Sequence, residues 1–178
     1  MNNYLNKKRI TGIDIIFLYL LILFIPILFM VFIPYFFNNA TKLLSIYLAL
    51  ITVLILITSL NFIFNKPYIA VFFSCHQDKN KSIQCIYNSL NICARCTGIF
   101  LGIFISIIFI LLKTPWYIYF ILGIPLIIDG TTQYISSWKS NNFLRVFTGI
   151  LFGPTILFVF YLFHYSLYQI AYYFYSLL

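Results

Sequence analysis

Long uncharged apolar stretches alternate along this chain with short polar clusters, and the apolar stretches outline helices that cross a bilayer. Such a helix needs about 20 apolar residues to traverse the hydrocarbon. The first stretch runs from about Gly12 to Phe37, with Pro26 and Pro34 expected to kink its second half. A second covers Leu43 to Phe64 between Lys42 and Lys66, and a third Ile92 to Leu112. The fourth, Pro115 to Ile135, follows a turn at Lys113-Thr114-Pro115, and the fifth follows Arg145 over 146–167. Residues 168–178 are surplus to one crossing, and their tyrosines suit the membrane interface. The pattern predicts an all-α polytopic membrane protein, residues 1–178 forming one integral domain of five spans.

The first run is longer than a signal-peptide core and lacks a small-residue cleavage site, which makes it an anchor. Thr11 and Asp14 have the spacing of a capping box at its start. The longest polar connection, Asn65 to Asn91, contains an apolar piece, Pro67 to Phe73, expected at the interface or dipping into the membrane.

Composition removes the alternatives. Of 178 residues, 63% are apolar, 8% are charged and none is glutamate. A soluble domain carries about 25% charged residues, so a water-exposed surface cannot be assembled here. That excludes a soluble enzyme, a disordered tail and a nucleic-acid module. The net charge of +8 is unevenly placed. With the amino terminus in the cytoplasm, Lys7, Lys8, Arg9, Lys66, Lys79, Lys81, Arg95, Lys139 and Arg145 lie inside, and only Lys42 and Lys113 outside. The excess would meet anionic lipid headgroups at the inner face of a cell membrane. Five spans then put the carboxyl terminus outside.

Candidate chemistry gathers at that inner level. Cys75, Cys85, Cys93 and Cys96 fall with His76 inside 22 residues. In a reducing cytoplasm such a cluster reads as metal ligands or redox thiols rather than a structural disulfide. Cys93-Ala94-Arg95-Cys96 places two sulfurs on one side of a helix start, where the dipole favours thiolates. Cys75, Cys93 and Cys96 with His76, or with Cys85, would complete a tetrahedral zinc site. A second cluster, Asp129, Thr132 and Gln133, closes the fourth span, and an acid at that depth is a functional candidate in need of a partner. Taking Thr114 as the hairpin centre, Cys96 lies 18 residues before it and Thr132 lies 18 after, hence at one depth. Arg145, behind Ser140-Asn141-Asn142, reaches the same level and is a candidate partner for Asp129 or an anion ligand. Arg95 is expected to snorkel to headgroups. Gly98 with Gly102 and Gly149 with Gly153 allow close helix approach. His164, about 28 Å along a helix from Arg145, belongs near the outer face.

These residues resemble a family of prokaryotic membrane proteins known only as a domain of unknown function. Its motifs correspond here to Cys75-His76-Gln77, Cys93-Ala94-Arg95-Cys96-Thr97-Gly98, Asp129-Gly130-Thr131-Thr132-Gln133, and Ser140 to Arg145 followed by Thr148-Gly149. The likeness covers about residues 75–153. The fourth motif carries one extra residue, and Lys81-Ser82-Ile83 stands where the family often has Arg-Ser-Phe. Cys85 has no counterpart, so the resemblance favours His76 as the fourth ligand. It implies no activity.

The leading expectation is a cytoplasm-facing metal site on Cys75, His76, Cys93 and Cys96, beside a polar pocket for a small or lipid-borne ligand. Asp129, Gln133 and Arg145 are its catalytic candidates, and Thr132, Asn141 and Asn142 its lining candidates. A closed four-ligand site would be structural, whereas an open position beside Asp129 would polarise water. The rivals are a quinone-linked thiol–disulfide oxidoreductase using Cys93 and Cys96, and a transporter using Asp129.

Overall fold

A computed structural model gives the fold. It describes residues 10–36, 42–75, 79–83, 86, 90, 92–136 and 140–176. The elements in order are α1 (Gly12–Phe36), α2 (Lys42–Phe64), a short α3 (Tyr68–Phe72), a 3-10 turn (Lys79–Lys81), α4 (Ala94–Leu111), α5 (Trp116–Ile135) and α6 (Asn142–Ser176). Five of these are long and apolar enough to cross a membrane, and the chain is a multi-pass membrane protein.

The burial pattern is that of a bundle with lipid as its solvent. Large apolar side chains face outward along every long helix, among them Ile16, Phe62, Ile108, Ile127 and Phe163. Small polar residues sit inside and satisfy themselves on the preceding turn. Thr97 donates to the Cys93 carbonyl at 3.0 Å and Ser106 to that of Gly102 at 2.8 Å. Thr155 donates across to the carbonyl of Tyr119 and joins α6 to α5. Such pairs are needed because hydrocarbon offers no hydrogen bonds.

The closest crossing joins α4 to α6. Gly98 and Gly102 on one helix meet Gly149 and Gly153 on the other, backbone against backbone. Without side chains at those four positions the axes approach far enough to bring the helices' first turns together. α5 packs on the other side of α6, and α1 packs on α2.

The Asn65 to Asn91 connection folds back on the bundle. The apolar piece expected at the interface forms α3, whose Tyr68, Ile69 and Ala70 are buried in a cluster with Val53, Ile57, Ile92 and Cys96. The capping box forms at the start of α1, with the Thr11 N–H and hydroxyl each donating to Asp14 at 2.8 Å. Asp14 also accepts from Lys66 (2.6 Å) and the Tyr68 hydroxyl (2.9 Å), which ties α1 to α3 and raises the pKa of the Lys66 ammonium, chiefly through that hydrogen bond. The last helix begins at Asn142, a turn earlier than the sequence boundary, and continues to Ser176, so part of the surplus beyond 167 prolongs the helix.

Candidate functional site

Cys75 is delivered by the end of α3. Ser74 takes a positive φ of 48°, its N–H donates to Val71, and the Cys75 N–H donates to Ala70 at 2.8 Å. That double wrap is a Schellman cap, and it turns the chain sharply back toward α4. Cys93 occupies the N-cap of α4 in extended backbone and Cys96 lies one turn in. The Cys93 N–H donates to the Cys75 sulfur at 3.2 Å, and the Cys93 and Cys96 sulfurs are 3.5 Å apart. All three sulfurs lie within 4.8 Å of one another. Around a tetrahedral zinc with bonds of about 2.3 Å, neighbouring sulfurs would be about 3.8 Å apart, so the triad matches that geometry closely. An N–H donated to a ligand sulfur is the kind of support that fixes a metal site. His76 and Cys85, the alternative fourth ligands, lie outside the described residues.

A polar network runs beside the sulfurs. Asp129 is buried and its Oδ2 accepts from an Arg95 terminal nitrogen at 2.5 Å. Its Oδ1 accepts from Gln133 at 2.9 Å, and the same Gln133 nitrogen donates to the Ser140 hydroxyl at 2.6 Å. Ser140 also accepts from the Arg145 Nε at 3.0 Å. Arg145 reaches Asn142 Oδ1 at 3.3 Å, and Asn142 donates to the Ser82 carbonyl at 3.3 Å. The network links α4, α5, α6 and the polar connection.

Arg95 therefore does not snorkel away from the bundle. It lies between two cysteines that face inward, and the carboxylate it meets would otherwise be buried without a counter-charge. That requirement was the available signal: an acid at Asp129's depth must find a cation. Arg145, the candidate partner read from the sequence, connects to Asp129 among the described residues through Gln133 and Ser140. Thr132 is exposed and bonds the Ile128 carbonyl of its own helix at 2.8 Å. Asn141 is also exposed, and its Oδ1 caps the Leu144 N–H at 2.8 Å. The places of Ser74 and Lys81 at the site were not read from the sequence, because each depends on how the connection folds back.

Two cavities open here. One of about 300 Å³ is lined by Cys75, Cys93, Cys96, Lys81, Arg95, Gln133 and Arg145 among others. The second, about 590 Å³, is lined by Asn80, Ser140, Asn141 and Asn142 and again by Lys81, Gln133 and Arg145. His164 belongs to neither; it is fully buried, with ring nitrogens 2.9 Å from the Phe160 carbonyl and 3.1 Å from that of Ile22. It joins α6 to α1.

The family described as "Predicted membrane protein (DUF2085)" matches residues 75–159, from the first cysteine of the triad into α6. An uncharacterized protein of Methanothermobacter thermautotrophicus is 34% identical over 85 residues, which cover 44% of this chain and 77% of that protein. The chain belongs to the DUF2085 family. A second archaeal relative, the uncharacterized protein MJ1492 of Methanocaldococcus jannaschii, is 37% identical over 93 residues, 47% of this chain. The chain spans about 59% of the length of MJ1492. No solved structure matches the chain. The DUF2085 match encloses the cysteine triad, the Arg95–Asp129 pair and Arg145, and leaves α1 and α2 outside it.

Proposed function

We propose that this DUF2085 protein holds a metal ion, zinc by donor chemistry, on Cys75, Cys93, Cys96 and His76 at the cytoplasmic face of a cell membrane. Beside it, Asp129, Gln133, Asn142 and Arg145 form a pocket for a small or lipid-borne ligand. The observation that carries the reading is the convergence of three sulfurs within 4.8 Å from two separate elements. Thiolates prefer zinc and other soft cations to magnesium or calcium. The cytoplasmic placement rests on the nine-to-two division of Lys and Arg. With three sulfurs and an imidazole the coordination is closed, which favours a structural role that clamps α3 onto α4. Asp129 has both oxygens engaged, and its support of Arg95 and Gln133 makes it a positioning residue of the pocket.

Metal analysis of purified protein tests this. One equivalent of zinc per chain is expected, lost in the Cys93→Ser Cys96→Ser double variant. Folded protein without metal, all its thiols titrating freely, would overturn it. The 3.5 Å between the Cys93 and Cys96 sulfurs also favours a second reading, a dithiol that closes to a disulfide by passing two electrons and two protons to a quinone-type acceptor. Under that reading mild oxidant links Cys93 to Cys96 and reductant restores both thiols; under the metal reading bound zinc protects them.

A further inference from the structure

Arg145 is 8% exposed, yet every described partner of its guanidinium is neutral: the Ser140 hydroxyl and the Asn142 carbonyl oxygen. The described carboxylates are spent elsewhere, Asp14 on Lys66 and Asp129 on Arg95. Removing a cation from water without a counter-charge costs several kcal/mol, so a buried arginine of this kind is kept where an anion joins it. Both cavities have Arg145 and Lys81 in their walls, and their volumes, about 300 and about 590 Å³, exceed what a bare ion needs. The first turn of α6 adds the positive end of a long helix to the same place.

We infer that this pocket binds a phosphate group, with Arg145 as its main ligand and Lys81 and the Asn141 amide as further donors. A guanidinium presents a planar fork that fits phosphate oxygens, and the second terminal nitrogen of Arg145 has no partner among the described residues. The phosphate arrives either on a lipid or on a soluble ester. A lipid source has room for its chain: a groove of about 570 Å³ between α5 and α6, lined by Pro125, Ile128, Asp129, Thr132, Leu144 and Phe147 among others, is mostly apolar and reaches Asp129, which bonds the Gln133 of the pocket wall. The inference deepens the pocket half of the proposed function and does not depend on the metal.

The test uses full-length protein in neutral detergent, with inorganic phosphate and short-chain phosphatidic acid as probes and phosphatidylcholine as control. Thermal unfolding reads phosphate binding, and native mass spectrometry reads retained lipid. Binding of phosphatidic acid alone supports the site with a lipid source; binding of inorganic phosphate supports it with a soluble source. Arg145→Gln should weaken either by about tenfold or more, since a charged hydrogen bond is removed. Should that variant fail to fold, Asn141→Asp keeps the cap on Leu144 while placing a negative charge in the cavity, and must weaken binding likewise. Absence of binding by either probe, or binding unchanged in the folded variants, overturns the inference. Metal content measured on the same samples separates the two halves: zinc without phosphate binding sinks this site alone, and phosphate binding by metal-free protein sinks the metal reading alone.

Discussion

Replacing Gly149 with alanine tests the crossing that assembles the site. A Cβ there would meet the Arg95 carbonyl oxygen at 2.5 Å and the Gly98 Cα at 2.9 Å, where ordinary contact begins at 3.4 Å. Both atoms are backbone, so no side chain can swing aside and the helices themselves must part. The overlap is of the order of 0.5–1 Å, and a gap of that size forfeits about a quarter to a half of the dispersion energy of the atoms it separates. Overpacking of this kind costs about 1–3 kcal/mol. Alanine returns up to about 1 kcal/mol through helix propensity, so an internal reference is needed. Gly130 supplies it, because a Cβ at that helical position has nothing within 4 Å.

Thermal unfolding of both variants in the same detergent isolates the packing cost. Gly130→Ala should melt at or slightly above the parent, and Gly149→Ala below it, with about 2 kcal/mol between them. The Gly149 position faces the Arg95 carbonyl, so widening the crossing also moves the start of α4, with Cys93 and Cys96, away from Arg145. Gly149→Ala should therefore bind phosphate more weakly than the parent, and Gly130→Ala should not. Equal melting temperatures for the two variants would refute the argument, since they would mean that the helices part at no cost.

Two further variants probe buried polarity. Asp129→Asn leaves Arg95 without its carboxylate and should lower stability, by less than the roughly 3–5 kcal/mol of a fully buried pair because the Arg95 side chain keeps 29% exposure. Arg95→Met Asp129→Leu should recover most of that loss in the same melting assay; a double variant as unstable as the single one would contradict the ion-pair reading. Asn61 is buried with neither amide atom partnered among the described residues, so Asn61→Leu, which keeps the branching, should raise stability by about 1–3 kcal/mol. A lower melting temperature for Asn61→Leu would show that the amide has a partner or that the site cannot take the larger methyl groups.

The helices were legible because lipid imposes one rule on every residue of a span. A stretch such as Leu43 to Phe64 has to be apolar wherever it points, and its ends fall where lysines resume. Depth was legible for the same reason: equal spacing either side of Thr114 puts Cys96 and Thr132 level, and the Arg95–Asp129 bond joins those two helix ends. Rotation about each helix axis was not. Depth alone pointed Asp129 toward Arg145 and left Arg95 to the headgroups, whereas the structure pairs Asp129 with Arg95. What decides is the glycine crossing, which sets α4 directly against α6 and leaves α5 packed beside α6. Arg95 is the arginine whose terminal nitrogen meets the Asp129 carboxylate there. Arg145, in the first turn of α6, is buried among Ser140 and Asn142. The carboxylate is then taken, and the second arginine is left, among the described residues, with neutral partners. The same crossing that stabilises one ion pair thus leaves a buried cation without a carboxylate among the described residues, and the proposed phosphate site depends on it.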